Sequence, residues 1–176
     1  TIIVGDDVNL TDGELREPGV LWAGANTTVQ FEGPYTLHLE FLLPYMPQAR
    51  GQGRANSGVY VHDCCEIQVL DSFGLEGLDN ECGGIYRTKT PDVNMCLPPL
   101  VWQTYDMEYT PPVYDAAGEK IESALLIAKH NGVIIHENLE VTDTPGRQNE
   151  GPGPRGIHLQ QHGNKVQYRN FWVLEK

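Results

Sequence analysis

The sequence predicts a single all-β domain over residues 1–176, a jelly-roll sandwich of two antiparallel sheets. Apolar and polar residues alternate with a period of two through several segments, and no segment carries a convincing amphipathic helix. Twelve prolines and nineteen glycines punctuate the alternating runs. Successive side chains of a strand point to opposite faces, so a period of two marks a strand with one face in the core. Frequent Gly and Pro between such strands fit the many turns of an antiparallel sandwich.

The strand signals run along the chain in order. In residues 35–41, Tyr35, Leu37, Leu39 and Phe41 share one face. Residues 57–62 and 65–70 form the next pair, with a turn at His62-Asp63. Residues 102–109 alternate, and so do residues 123–130. Asn131-Gly132 then separates two apolar runs, the strongest short-range hairpin signal, because both residues tolerate positive φ. Residues 157–162 and 166–174 close the chain across a turn at 162–165, and Trp172 alternates in phase with Val166, Tyr168 and Leu174 as a core residue. Two segments, 44–56 and 143–155, read as long loops, which in a small domain usually bind or cover something.

Length and charge exclude several functions. A chain of 176 residues supports one well-buried core and not two comfortable ones. A net charge of -12 argues against nucleic acid and against an anionic membrane surface as partners. No apolar run of membrane-spanning length is present. The four cysteines (Cys64, Cys65, Cys82 and Cys96) form no Cys-x-x-Cys pair, so a zinc ribbon is not expected. Their even number suits an oxidising compartment, hence a secreted or periplasmic location. Cys82 and Cys96 flank a turn-rich loop whose closure by a disulfide would stabilise by roughly 3 kcal/mol. Cys64 and Cys65 are adjacent, so on a strand at most one of them joins the core.

The segment with the most chemistry is Glu66-Ile67-Gln68-Val69-Leu70-Asp71-Ser72. Glu66 and Gln68 share a strand face, and a β-bulge at Leu70 would bring Asp71 onto it. Carboxylates grouped on a polar surface are the usual equipment of glycosidic bond cleavage. In spacing this resembles the Glu-x-Asp-x-x-Glu strand of laminarinase- and lichenase-type glycoside hydrolases, which have a concanavalin A-like jelly roll. Gln68 replaces the middle acid and Asp71 is shorter than the last, which counts against their two-carboxylate mechanism and an ordinary β-glucan hydrolase.

A longer resemblance covers nearly the whole chain. Asn56-Ser57-Gly58-Val59-Tyr60, the Glu66–Ser72 segment, Gly84-Ile85-Tyr86, and Pro98-Pro99 leading to Trp102-Gln103-Thr104-Tyr105-Asp106 resemble the 3-keto-disaccharide hydrolase domain family. His130-Asn131-Gly132-Val133, Leu159-Gln160-Gln161-His162-Gly163-Asn164 and Tyr168-Arg169-Asn170-Phe171-Trp172-Val173 continue it in order. The resemblance implies a concanavalin A-like fold and a glycoside or oligosaccharide substrate oxidised at C3. A C3 ketone acidifies C2–H, so the C1 glycosidic bond can break by elimination and the product be hydrated. That route needs a base, a donor for the enolate and an acid for the leaving oxygen.

On this reading Glu66 or His162 is the base, Arg169 and Gln68 steady the enolate or substrate, and Asp71 is the acid or orients a partner. Tyr60, Trp102 and Gln160 are the further substrate contacts, although strand aromatics more often pack. His158, Gln160 and His162 share a strand face, and the two histidines with Glu66 could bind a divalent metal that polarises the ketone. A non-catalytic carbohydrate-binding module on the same sandwich is the rival from another class. A module needs stacking aromatics and hydrogen bonds, whereas an enzyme needs a carboxyl or imidazole of shifted pKa in its cleft.

Overall fold

In the computed structural model, residues 19–176 are described in full, together with the backbone of three short strands before them. In chain order the strands are β1 (Ile2–Val4), β2 (Leu10–Thr11), β3 (Leu15–Glu17), β4 (Val20–Trp22) and β5 (Asn26–Thr27). Then come β6 (Tyr35–Leu42), β7 (Ser57–Val61), β8 (Cys65–Val69), β9 (Trp102–Thr110) and β10 (Val113–Tyr114). The last five are β11 (Lys120–Glu122), β12 (Ala124–His130), β13 (Val133–Val141), β14 (His158–Leu159) and β15 (Gln167–Glu175).

These form a concanavalin A-like jelly roll of two antiparallel sheets. The larger sheet runs β13-β12-β9-β6-β15-β4-β3, with β1 also paired to β15. The smaller runs β2-β5-β14-β7-β8, and β10 and β11 make a separate hairpin. Period-two alternation becomes the core directly. Tyr35, Leu37, Leu39 and Phe41 of β6 are all 0% exposed, and Val59, Val61, Ile67 and Val69 of β7 and β8 are equally buried. Each such side chain contributes roughly 1.5–3 kcal/mol by leaving water. β9 buries Gln103, Tyr105, Met107 and Tyr109, and β12 buries Ala124, Leu126, Ala128 and His130. Asn131 and Gly132 take φ of 51° and 80° in the expected hairpin turn, and His62 and Asp63 take 51° and 52° in theirs.

Three expectations are corrected. Arg169 pairs with Glu40 but Trp172 with His38, so β15 carries one extra residue there, and Asn170 has φ 48°. This bulge flips the phase: Phe171 and Val173 enter the core, while Trp172 turns outward and stacks on His38 at 5.2 Å. The Cys82–Cys96 disulfide is also overturned, because both are buried free thiols. The Cys82 sulfur lies 3.3 Å from the Tyr105 hydroxyl, and Cys96 donates to the Leu70 and Leu97 carbonyls at 3.6 and 3.5 Å. Cys64 and Cys65 are both buried and free as well. Cys64 lies in the turn before β8, where strand alternation does not yet apply.

Candidate active site

The β7–β8 hairpin turns Ser57, Val59 and Val61, with Cys65, Ile67 and Val69, toward the larger sheet. Alternation therefore sends Gly58, Tyr60, Glu66 and Gln68 to the opposite face. The register sets Tyr60 beside Glu66 and Gly58 beside Gln68, and β14 sets His158 on the other side of Tyr60. Beyond β8 the free sheet edge is met by residues 83–86. Gly83 donates to the Gln68 carbonyl at 2.9 Å, Gln68 to that of Gly84 at 2.8 Å, and Tyr86 to that of Glu66 at 3.1 Å. This brings Tyr86 and Arg87 to the same face. The two long loops add Gln52 and Asn56 on one side and Pro145 and Gly146 on another, enclosing a cleft of about 210 Å³ with Gln160 and His162.

Glu66 is 2% exposed, yet it lines this cleft. The Tyr60 hydroxyl donates to its Oε2 at 2.8 Å, and its own N–H donates to Thr144 Oγ1 at 2.9 Å. Its Oε1 has no hydrogen-bond partner among the described residues. Burial pushes the Glu66 carboxyl up to about 7, against the opposing pull of the Tyr60 hydrogen bond. A Cβ on Gly58 would stand 2.0 Å from Oε1, so the absent side chain makes the carboxyl's room. The Tyr60 hydroxyl also faces the Pro145 carbonyl at 3.0 Å and accepts from Gln160 Nε2 at 3.3 Å. Burial, then the Glu66 charge, raises the Tyr60 phenol well above its usual value, so it stays a neutral donor.

The surroundings of Gln68 require its amide. Its Nε2 donates to Asn56 Oδ1 at 3.0 Å and to the Ser57 and Val69 carbonyls, both at 3.1 Å. A ring of acceptors calls for an amide, and a carboxylate there would meet only like partners. Gln68 therefore holds Asn56 in the cleft wall.

Tyr60, Glu66, Gln68, Gln160 and His162 are thus brought together as the sequence predicts, with His162 exposed. Asp71 is not among them. β8 ends at Val69, and Asp71 beyond it is buried, with Oδ2 2.6 Å from Arg54 Nε, outside the residues lining the cleft. Arg169 and Trp102 belong to β15 and β9 of the other sheet. There the Arg169 guanidinium covers the Trp102 ring at 3.9 Å and its Nε lies 2.5 Å from Glu40 Oε2. The larger sheet presents these residues away from Tyr168 and the core, so they do not complete the site. His158 Nδ1 lies 2.7 Å from Asn26 Oδ1, and its ring backs that of Tyr60 at 5.8 Å. Burial and the nearby Arg147 hold the His158 imidazole down at about 4. His158, His162 and Glu66 do not gather as metal ligands; among the described residues no group of three His, Cys, Asp or Glu does.

Sequence reading missed Arg87 as the cation of the cleft, and Thr144 as the group that anchors the Glu66 backbone. Arg87 follows directly on Gly84-Ile85-Tyr86, but it has φ 59° in an irregular segment, so no periodicity marks its direction.

Residues 4–174 match the family model of the 3-keto-alpha-glucoside-1,2-lyase-like domain. The chain belongs to this family. Its carbohydrate-active, hydrolase- or lyase-like character follows from that membership. A solved structure from Parabacteroides distasonis ATCC 8503, titled a "putative glycosyl hydrolase", is 25% identical with a TM-score of 0.83, covering 94% of this chain and 75% of that one. A second structure from the same organism under a similar title is 20% identical with a TM-score of 0.62, covering 91% and 88%, and shares the fold. A search of curated proteins found no match.

Proposed function

We propose that this family member cleaves 3-keto-glycosides by elimination followed by hydration, with Glu66 as the proton-transfer group. The observation that carries the reading is the Glu66 carboxyl itself. It is fixed at Oε2 by Tyr60, unpartnered at Oε1 among the described residues, and raised by burial to about 7. A carboxyl so poised can take a proton and return it near neutral pH. A binding module has no use for such a group.

The reaction runs in two halves. Glu66 removes the proton from C2, and the electron pair left there forms the C1–C2 double bond as the C1–O glycosidic bond breaks. The leaving oxygen takes its proton from His162 at the cleft mouth. Arg87 offers a positive charge to the C3 oxygen, which carries enolate character in between. Water then enters the cleft, exchanges protons with Glu66 and adds at C1, giving its remaining proton to His162, while C2 is reprotonated by Glu66. Ordinary retaining hydrolysis would need a second carboxyl about 5–5.5 Å away. Among the described residues lining the cleft Glu66 is the only carboxyl, which favours elimination.

The test is incubation with a 3-keto-disaccharide and its unoxidised parent in D2O. Cleavage of the keto sugar alone, with deuterium at C2 of the product and loss of turnover in Glu66→Gln, is expected. Cleavage of the parent sugar, or product without C2 deuterium, would sink the proposal; binding without turnover would return the protein to the module class.

A further inference from the structure

Residues 144–148 form one wall of the cleft, and the groups that hold this wall lie at both of its ends. At the near end Thr144 donates its N–H to the Cys64 carbonyl at 2.9 Å and receives the Glu66 N–H on its hydroxyl at 2.9 Å. Pro145 and Gly146 follow, one with its carbonyl 3.0 Å from the Tyr60 hydroxyl and the other so close that a Cβ would stand 2.6 Å from it. At the far end the strap meets Asp63, at the tip of the β7–β8 hairpin and 8% exposed. Asp63 Oδ1 takes Arg147 Nε at 2.6 Å, Oδ2 takes Gln148 Nε2 at 2.6 Å, and its carbonyl takes the Gln148 N–H at 3.3 Å. Arg147 also reaches Asn26, the partner of His158, which backs Tyr60.

We propose that Asp63 is a positioning residue for the Glu66 site, clamping the 144–148 strap so that Thr144, Pro145 and Gly146 hold Glu66 and Tyr60 in place and keep water from the carboxyl. The inference rests on Glu66 being the proton-transfer group. Asp63 itself stays outside the cleft lining, so its action passes through the strap. Charge-assisted bonds to both carboxylate oxygens make it a firm anchor. An exposed loop of this composition would otherwise open readily.

The ionisable groups around Glu66 are Tyr60 on β7, Cys65 beside it on β8, Tyr168 on β15, Tyr86 and Arg87 beyond β8, His162 after β14, and Arg147 on the strap. Gln148→Ala is therefore the deciding variant, because Asp63→Asn also unpairs Arg147 and leaves its charge near the cleft. Gln148→Ala removes one clamp bond and no charge. Asp63→Asn keeps a residue that tolerates the left-handed turn, where φ is 52°. The titration of the Glu66 side-chain carboxyl, followed by carbon NMR in the free protein, reports on the clamp without substrate.

The midpoint is expected to fall from about 7 toward the ordinary carboxylate value in Asp63→Asn, and by less in Gln148→Ala. With 3-keto-disaccharide, the acid limb of the kcat/KM profile should move with it, and kcat should fall about a hundredfold in Asp63→Asn, the scale of an ångström of misplacement. Folded variants with an unmoved Glu66 midpoint and an unmoved pH profile would overturn the proposal. If the unaltered protein fails to cleave the keto sugar, the functional reading falls, and the NMR titration still decides the role of Asp63.

Discussion

Replacing Glu66 by Gln should make this protein more stable at alkaline pH, and the gain should vanish in acid. The folded Glu66 carboxyl is raised from its ordinary 4.5 to about 7 because burial disfavours the charge. Between those values the folded chain keeps a proton that the unfolded chain has released. The native state binds more protons there, so stability falls as pH rises, beginning above 4.5 and ending past 7. The gap corresponds to roughly 3 kcal/mol once the group is fully ionised. Gln has the same shape, accepts the Tyr60 hydroxyl through its Oε1, and has no charge to bury.

The stability difference between variant and parent should therefore grow by roughly 3 kcal/mol from pH 4.5 to pH 8.5. For a chain of this length that is on the order of 10 °C in Tm. Urea unfolding across this range measures it. The histidines that burial holds at about 4 (His62, His130 and His158) shift both curves alike and cancel in the difference. Parallel curves would refute the reasoning, since Glu66 would then titrate alike folded and unfolded. The same variant should lose turnover, so stability and activity are opposed at one atom pair.

Other expectations follow from the same geometry. Gly58→Ala sets a methyl 2.0 Å from Glu66 Oε1, so the carboxyl must move. Turnover of a 3-keto-glycoside should fall about a hundredfold, with about 1–3 kcal/mol of stability lost to overpacking in a denaturant titration. Arg169→Ala removes the cover of Trp102 on the far sheet, and should cost about 0.5–1 kcal/mol while leaving kcat/KM unchanged. A thiol reagent should titrate no cysteine in the native protein and all four after unfolding without reductant, because the four are buried and free. Fewer than four in denaturant would reinstate a disulfide.

Much of the fold was legible because alternation is a local property. The faces of β6, β9 and β12, the Asn131-Gly132 hairpin and the His62-Asp63 turn all follow from neighbouring residues. Trp172 was misplaced because one bulge at Asn170 inverts every residue after it, and no residue type marks a bulge unambiguously. The site was half legible for a similar reason. Glu66 and Gln68 lie on one strand, so their shared face followed from phase alone, while Tyr60 joins it through the β7–β8 register.

The sequence by itself determined an all-β sandwich and a face bearing Glu66 and Gln68, because strand periodicity and hairpin turns are written within a few residues. Only the tertiary structure decided which distant groups meet that face. Arg87 and Tyr86 arrive through an edge contact to β8, and Thr144 arrives through a strap tied to Asp63. Arg169 and Trp102, equally suitable by residue type, are carried to the opposite sheet. The pKa of Glu66 belongs to the same level, since the burial that raises it is the work of segments far apart in the chain.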